Sequence, residues 1–65
     1  MSFSFPNPLD WITSHRSTLE EAIADAKTKL IQANEHGLDE ESVLIYETVP
    51  VARVYLSGEV VRLKS

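Results

Sequence analysis

The sequence predicts an α+β fold in which an extended arm and one or two helical segments precede a C-terminal β-hairpin packed on the helix. Two observations predict it. Residues 42–56 form the longest apolar and β-branched run of the chain, and such side chains favour a pleated sheet. Residues 19–33 instead repeat apolar side chains at helical spacing. We expect a single small domain over residues 1–65, a size that buries only about 60% of its unfolded surface.

The extended arm is predicted at residues 1–7. Pro6 and Pro8 bias the residues before them away from helix. Phe3 and Phe5 alternate with serines, so both rings can point to one side of the arm. The arm either packs against its own domain or docks on a neighbouring subunit, and its two phenylalanines are candidates for protein interaction.

A first helical segment is predicted at about residues 8–15. Asn7 is a suitable N-cap, Pro8 fits the first helical position, and Asp10 places negative charge in the first turn. A short strand through residues 11–13 is the alternative prediction, because an aromatic and two β-branched residues follow one another there.

The clearest helix is predicted at residues 18–36. Ser17 and Glu20 have the spacing of a capping box, and Gly37 is a natural stop. The residues that repeat at spacings of four, three, four and three form one apolar stripe: Leu19, Ile23, Ala26, Leu30 and Ala33. Asp25 and Lys29 can pair across one helical turn.

The same heptad extends backwards through residues 9–16, so one unbroken helix over residues 8–36 is also possible. An unbroken heptad would indicate a coiled-coil partner. However, five weak helix formers occupy the six positions 13–18, and this favours a break.

The hairpin is predicted to pair residues 43–56 with residues 59–64 around Gly58, which supplies the positive φ of a tight turn. Pro50 cannot donate to a β-ladder, so we expect an edge, a bulge or a bend there, with a kink at Val49–Pro50 and strand on both sides. Both faces of the longer strand are largely apolar. One helix covers one face and the hairpin partner occupies one edge, so the second face and the far edge are the predicted places for a partner.

Composition argues against several classes of function. The net charge of −4 opposes non-specific nucleic-acid binding, which depends on neutralising phosphates. The chain has no cysteine, which excludes disulfides and thiolate metal sites. No apolar run approaches the roughly 20 residues that span a bilayer, and the first residues do not resemble a signal peptide. We therefore expect no membrane association and a cytoplasmic location.

No motif for catalysis is present. His15 and His36 fall on different predicted elements without metal-ligand spacing, no serine has a GxSxG context, and the two glycines form no phosphate-binding loop. We expect a protein that is not an enzyme and that holds no metal or cofactor.

Protein binding is the function class that remains. Aromatic residues and arginine dominate the energetics of protein interfaces, and the β-hairpin region is rich in both. Two or three strands bury too little surface to be stable alone, so we also expect a homo-oligomer or a subunit of a larger assembly. The candidate interaction residues are Phe3, Phe5, Trp11, Tyr46, Val49, Val51, Arg53, Tyr55 and Arg62.

Two segments, STLEEAI at residues 17–23 and IYETVPVARV at residues 45–54, resemble small uncharacterised proteins of tailed bacteriophages. Those proteins combine an S/T-L-E-E-A-I helix with an IYE-x-VPVA-x-V strand. The resemblance implies a viral origin and no assigned activity. From the acidic N-terminal part and the small scaffold we expect an accessory protein that binds and modulates a host protein. The alternative is a small structural or assembly component of a virion, whose Phe3–Phe5 arm and hairpin edge pack between larger subunits. Nucleic-acid binding through the hairpin bases Arg53, Arg62 and Lys64 is a third and weaker hypothesis.

Overall fold

The computed structural model describes residues 2–10 and 12–63. Within them one helix packs against one face of a five-stranded antiparallel sheet, so the predicted α+β class is confirmed. In chain order the elements are β1 (Phe3–Pro6), β2 (Thr13–Arg16), α1 (Leu19–Glu35), β3 (Ser42–Glu47), β4 (Val49–Tyr55) and β5 (Val60–Arg62). The order across the sheet is β2-β1-β3-β4-β5.

The predicted arm is a strand inside the sheet. β1 lies between β2 and β3, and Phe5 is only 1% exposed, so this segment packs against its own domain. The Asn7 N–H donates to the Ile12 carbonyl at 3.1 Å. Because hydrogen-bonding direction alternates along a strand, the N–H and C=O groups of odd-numbered residues in β1 point towards β2, and those of even-numbered residues point towards β3. The nitrogen of Pro6 therefore faces β3 without a proton to donate. Accordingly, the ladder between β1 and β3 is short, with Ser4 opposite Tyr46.

The prediction of a helix at residues 8–15 is wrong. Residues 8–10 form a turn and β2 begins at Thr13, so the alternative of a short strand is nearer to the structure. An unbroken helix over residues 8–36 is excluded for the same reason. Trp11 lies outside the described residues.

The signals that suggested this helix build a turn instead. The Asn7 Oδ1 accepts a hydrogen bond from the Leu9 N–H at 3.0 Å, and the Asp10 Oδ1 accepts one from the Ile12 N–H at 3.0 Å. Both bonds reach two residues along the chain, as in Asx turns. Short polar side chains that cap helices also close such turns, so the local sequence is ambiguous between the two structures.

The helix α1 begins and ends near its predicted limits. Its N-cap is Thr18, one residue after the predicted cap: the Thr18 Oγ1 accepts from the Glu21 N–H at 3.1 Å. At the other end Gly37 has φ 86°, as predicted for a helix stop. The Leu38 N–H reaches back to the Ala33 carbonyl at 2.9 Å, which completes a Schellman-type cap.

The face of α1 that contacts the sheet is narrow and rich in alanine. Its fully buried residues are Ala22, Ala26, Leu30 and Ala33. Leu19 and Ile23 of the predicted stripe are only partly buried at the margin of the core. Small side chains at the centre allow the helix to lie close to the strands, and the larger ones pack around the contact.

An ion-pair cluster joins α1 to the edge strand β2. The Asp25 Oδ2 lies 2.6 Å from the Arg16 Nη2, and the Asp25 Oδ1 lies 3.1 Å from the Lys29 Nζ. The predicted pairing of Asp25 and Lys29 is therefore confirmed. These are the ion pairs that the described part of the chain contains.

The long strand predicted at residues 43–56 is two strands. β3 and β4 pair with each other, with Glu47 opposite Val49, and the chain reverses at Thr48. Thr48 has φ 62°, in the left-handed region that a β-branched residue rarely occupies. The kink predicted at Val49–Pro50 is therefore a complete reversal slightly earlier in the chain.

Pro50 lies beside a β-bulge, one of the three arrangements expected for it. Ile45 is opposite Ala52 whereas Tyr46 is opposite Pro50, so Val51 is the extra residue of β4. A bulge leaves one residue outside the ladder and tolerates the missing N–H of proline.

The second hairpin, β4–β5, is confirmed. The Tyr55 N–H donates to the Glu59 carbonyl at 2.9 Å, and Gly58 has φ 99° in the turn. β5 covers Val60–Arg62, shorter than predicted, and Lys64 lies outside the described residues.

Replacement of Thr48 by glycine is expected to stabilise the protein. A left-handed conformation costs a residue with a Cβ roughly 1–2 kcal/mol, and glycine is free of that cost. After allowance for the greater flexibility of unfolded glycine, we expect the free energy of unfolding to rise by about 0.5–1 kcal/mol. Urea denaturation measures the change. The matched control is Thr13→Gly, in the extended edge strand β2, which should lower stability instead; a loss of stability in both variants would contradict strain at Thr48.

Candidate protein-binding face

In the part of the chain that the structure describes, α1 covers one face of the sheet and no helix covers the other, which we call the open face. The core cluster on the covered side includes Phe5, Val43, Ile45, Ala52 and Val54. Side chains alternate along a strand, so their neighbours point to the open face. Its central residues, from β3, β4 and β5, are Ser42, Leu44, Tyr46, Arg53, Tyr55 and Val61.

Strand register places Arg53 at the middle of this face. Leu44 lies opposite Arg53 on one side and Val61 lies opposite it on the other. Tyr55 is two residues further along the same strand, and Tyr46 is two residues beyond Leu44, diagonal to Arg53. The arginine is thus surrounded by two aliphatic and two aromatic residues.

The Arg53 guanidinium is held in place by a hydrogen bond. Its Nη1 donates to the Ser42 Oγ at 3.0 Å, across the pair of strands β3 and β4. Arg53 is half-buried, and no ion pair of the described residues includes it. A planar guanidinium fixed at one corner is well oriented to bind a carboxylate with its remaining donors.

The apolar neighbours of Arg53 are partly accessible. Leu44, Tyr46 and Tyr55 are half-buried, and Val61 is 37% exposed. Tyrosine offers a rigid apolar ring together with a hydroxyl group, which is why it is enriched where one protein binds another.

The structure separates the candidate interaction residues into groups. Tyr46, Arg53 and Tyr55 lie together on the open face. Phe3, Phe5 and Val51 pack on the side of α1, where Phe5 is part of the core and the other two lie at its margin. Val49 is 42% exposed beside the chain reversal.

Arg62 is opposite Ala52 on the edge strand β5, so its side chain belongs to the covered side of the sheet. It does not share a face with Arg53, which is opposite Val61.

Sequence reasoning missed Ser42, Leu44 and Val61 as part of the candidate site. Leu44 and Tyr46 are two residues apart on one predicted strand and therefore share a face, so the sequence could have placed Leu44 beside Tyr46.

The described residues, 2–10 and 12–63, form no pocket and no cluster of three or more metal-ligating side chains. None of their helical structure has the length and apolar character required to cross a membrane.

Comparison with known proteins gives no relative. No family model, no curated protein and no solved structure matches the chain. The geometry of the open face is therefore the basis for assigning a function.

Proposed function

We propose that this protein is a non-enzymatic accessory protein that binds and modulates another protein through the open face. The observation that supports the proposal is the position of Arg53, oriented by Ser42 and surrounded by Leu44, Tyr46, Tyr55 and Val61 on a face that α1 leaves uncovered. Arginine and tyrosine in partly desolvated positions contribute most of the binding energy at many protein interfaces.

The phage-type origin in this proposal, and hence a bacterial host protein as partner and the host cytoplasm as location, rest on the resemblance of residues 17–23 and 45–54. The alternative is a virion or assembly component located in the particle. That alternative needs the Phe3–Phe5 arm and the hairpin edge to pack between larger subunits, and the burial of Phe5 at 1% exposure leaves the hairpin edge alone for this contact.

Nucleic-acid binding through the hairpin has less support than protein binding. Arg53 and Arg62 belong to opposite faces of the sheet, so they do not form one basic patch. Phosphate binding requires several cations on one surface.

The proposal is tested by affinity purification from a lysate of the bacterial host with three immobilised proteins: the wild type, Tyr46→Ala and Ile31→Ala. Ile31 is 43% exposed on α1 and serves as the control for loss of an exposed apolar side chain. We expect one stoichiometric protein to bind the wild type and Ile31→Ala, and to bind Tyr46→Ala at least about tenfold more weakly as purified components. Equal binding to all three, or stoichiometric recovery in purified virions by mass spectrometry, would contradict it.

A further inference from the structure

The open face combines a positive charge with a complete absence of acidic residues. All ten acidic residues of the chain are among the described residues. The strand register and the bounds of the elements place each of them outside the open face. They lie in the turn before β2, on α1, in the connector 39–41, on the covered side at Glu47, and in the turn before β5. An acidic protein thus presents one sheet face whose formal charge is positive.

Arg53 requires acceptors from outside the chain when this face is covered. The guanidinium has five N–H donors, and its hydrogen bond among the described residues goes to the Ser42 Oγ at 3.0 Å. A partner that removed water from Arg53 without replacing it by an anionic acceptor would leave a buried, unpaired charge, which is strongly unfavourable.

This requirement argues against a second copy of the chain as the occupant. A symmetric dimer is isologous, so the same patch meets itself. Face-to-face packing would bury two Arg53 guanidinium groups between two faces that hold no carboxylate. Self-association through the open face therefore lacks charge complementarity.

Single-stranded nucleic acid also fits poorly, although tyrosines on a sheet can stack with bases. Arg53 is the one arginine or lysine on the described part of the face. A strand of nucleic acid presents several phosphates, and a single cation does not neutralise them.

We infer that the open face binds an acidic, partly apolar segment of a partner protein, with a partner carboxylate paired to the Arg53 guanidinium between Leu44 and Val61. This inference rests on the proposed function and specifies the chemistry of the partner. The carboxylate satisfies the free donors of the guanidinium, and aliphatic or aromatic residues next to it pack on the two tyrosines. Since residues two positions apart on a strand are separated by about 6.6 Å, apolar side chains two residues from the acidic one would lie over Tyr46 or Tyr55.

The test uses a displayed library of random peptides selected on the full-length chain. We expect the enriched sequences to carry an aspartate or glutamate flanked by aliphatic or aromatic residues. The most enriched peptide is then synthesised, and its affinity is measured for the wild type, Arg53→Gln, Arg53→Lys and Arg62→Gln. We expect Arg53→Gln to weaken binding at least about tenfold, Arg53→Lys to restore part of it, and Arg62→Gln to change it by less than about twofold.

Thermal melting establishes that each variant folds. If Arg53→Gln does not fold, Ser42→Ala replaces it, because loss of the orienting hydroxyl should weaken peptide binding without removing a charge. Enriched peptides without an acidic residue, or equal affinity for the wild type and Arg53→Gln, would overturn the inference.

Amide NMR titration with the same peptide separates this failure from failure of the proposed function. Shifts at Leu44, Tyr46 and Val61 would retain the open face as a binding site even if no acid is required. Shifts confined to α1 would contradict the proposed function as well. Tight binding of an oligothymidine at low salt, or a dimer in sedimentation that Arg53→Gln strengthens, would assign the face to nucleic acid or to a second copy and overturn the inference.

Discussion

Replacement of Phe5 by alanine is expected to unfold most of the protein at room temperature. Phe5 is 1% exposed and is the largest fully buried side chain among the described residues. Truncation of a buried phenylalanine costs about 3–5 kcal/mol, whereas a core of this size supplies only about 3–5 kcal/mol of net stability. The expected loss therefore matches the whole stability of the fold.

Circular dichroism during urea denaturation measures this effect. Ile12→Ala is the control from the same β-hairpin, because Ile12 is 67% exposed and its truncation should change stability by less than about 0.5 kcal/mol. If Phe5→Ala unfolded cooperatively at the same urea midpoint as the wild type, β1 would contribute little to the core. Residues 1–7 would then be better described as an extended arm that does not pack on the domain.

The second large effect is expected from Ala26→Leu in the middle of α1. Ala26 is fully buried, and the helix approaches the sheet over alanine residues. A larger side chain would have to displace the helix or the strands beneath it. Overpacking of this kind typically costs about 1–3 kcal/mol, although leucine is an excellent helix former.

Ala24→Leu is the matched control, since Ala24 is exposed on the same helix and receives the same substitution. Its melting temperature should remain within a few degrees of the wild type, whereas Ala26→Leu should melt several degrees lower. Equal melting temperatures would mean that the interface between α1 and the sheet has room for a larger residue. In that case the alanine face would not determine the spacing between the two layers.

The proposed binding residues and the core residues lie on opposite faces of the same sheet. Phe5, Ala26 and Ala52 are fully buried on the covered side. Leu44, Arg53 and Tyr55 belong to the other side and are only half-buried. Substitutions on the open face should therefore change binding with a smaller effect on stability, which makes the two properties separable by mutation.

Local signals in the sequence were sufficient for the helix and the last hairpin. Apolar spacing, a polar cap and Gly37 defined α1 to within one residue at each end. Gly58 between two β-branched runs defined the β4–β5 hairpin. Each of these elements depends on residues close together in the chain, so short-range physics determines it.

Residues 1–16 could not be assigned from local signals. Asn7, Pro8 and Asp10 suit both a helix start and a turn. The choice is made by pairing, because Phe3–Pro6 joins Thr13–Arg16 on one side and β3 on the other. The pairing with β3 crosses about 40 residues of chain, and no local pattern in the sequence encodes it.

The composition of the open face is likewise a tertiary result. The sequence alone determined that residues 42–56 are strand-forming, that both of their faces are apolar, and that Pro50 interrupts the ladder. In one continuous strand Tyr46 and Tyr55 would lie on opposite faces, because their positions differ in parity. The reversal at Thr48 keeps that parity, because Tyr46 is opposite Pro50. The extra residue Val51 in the bulge shifts it and places Tyr46, Arg53 and Tyr55 on one face. Folding of the run into two paired strands decided this, since pairing satisfies the backbone hydrogen bonds that a single long strand would leave open.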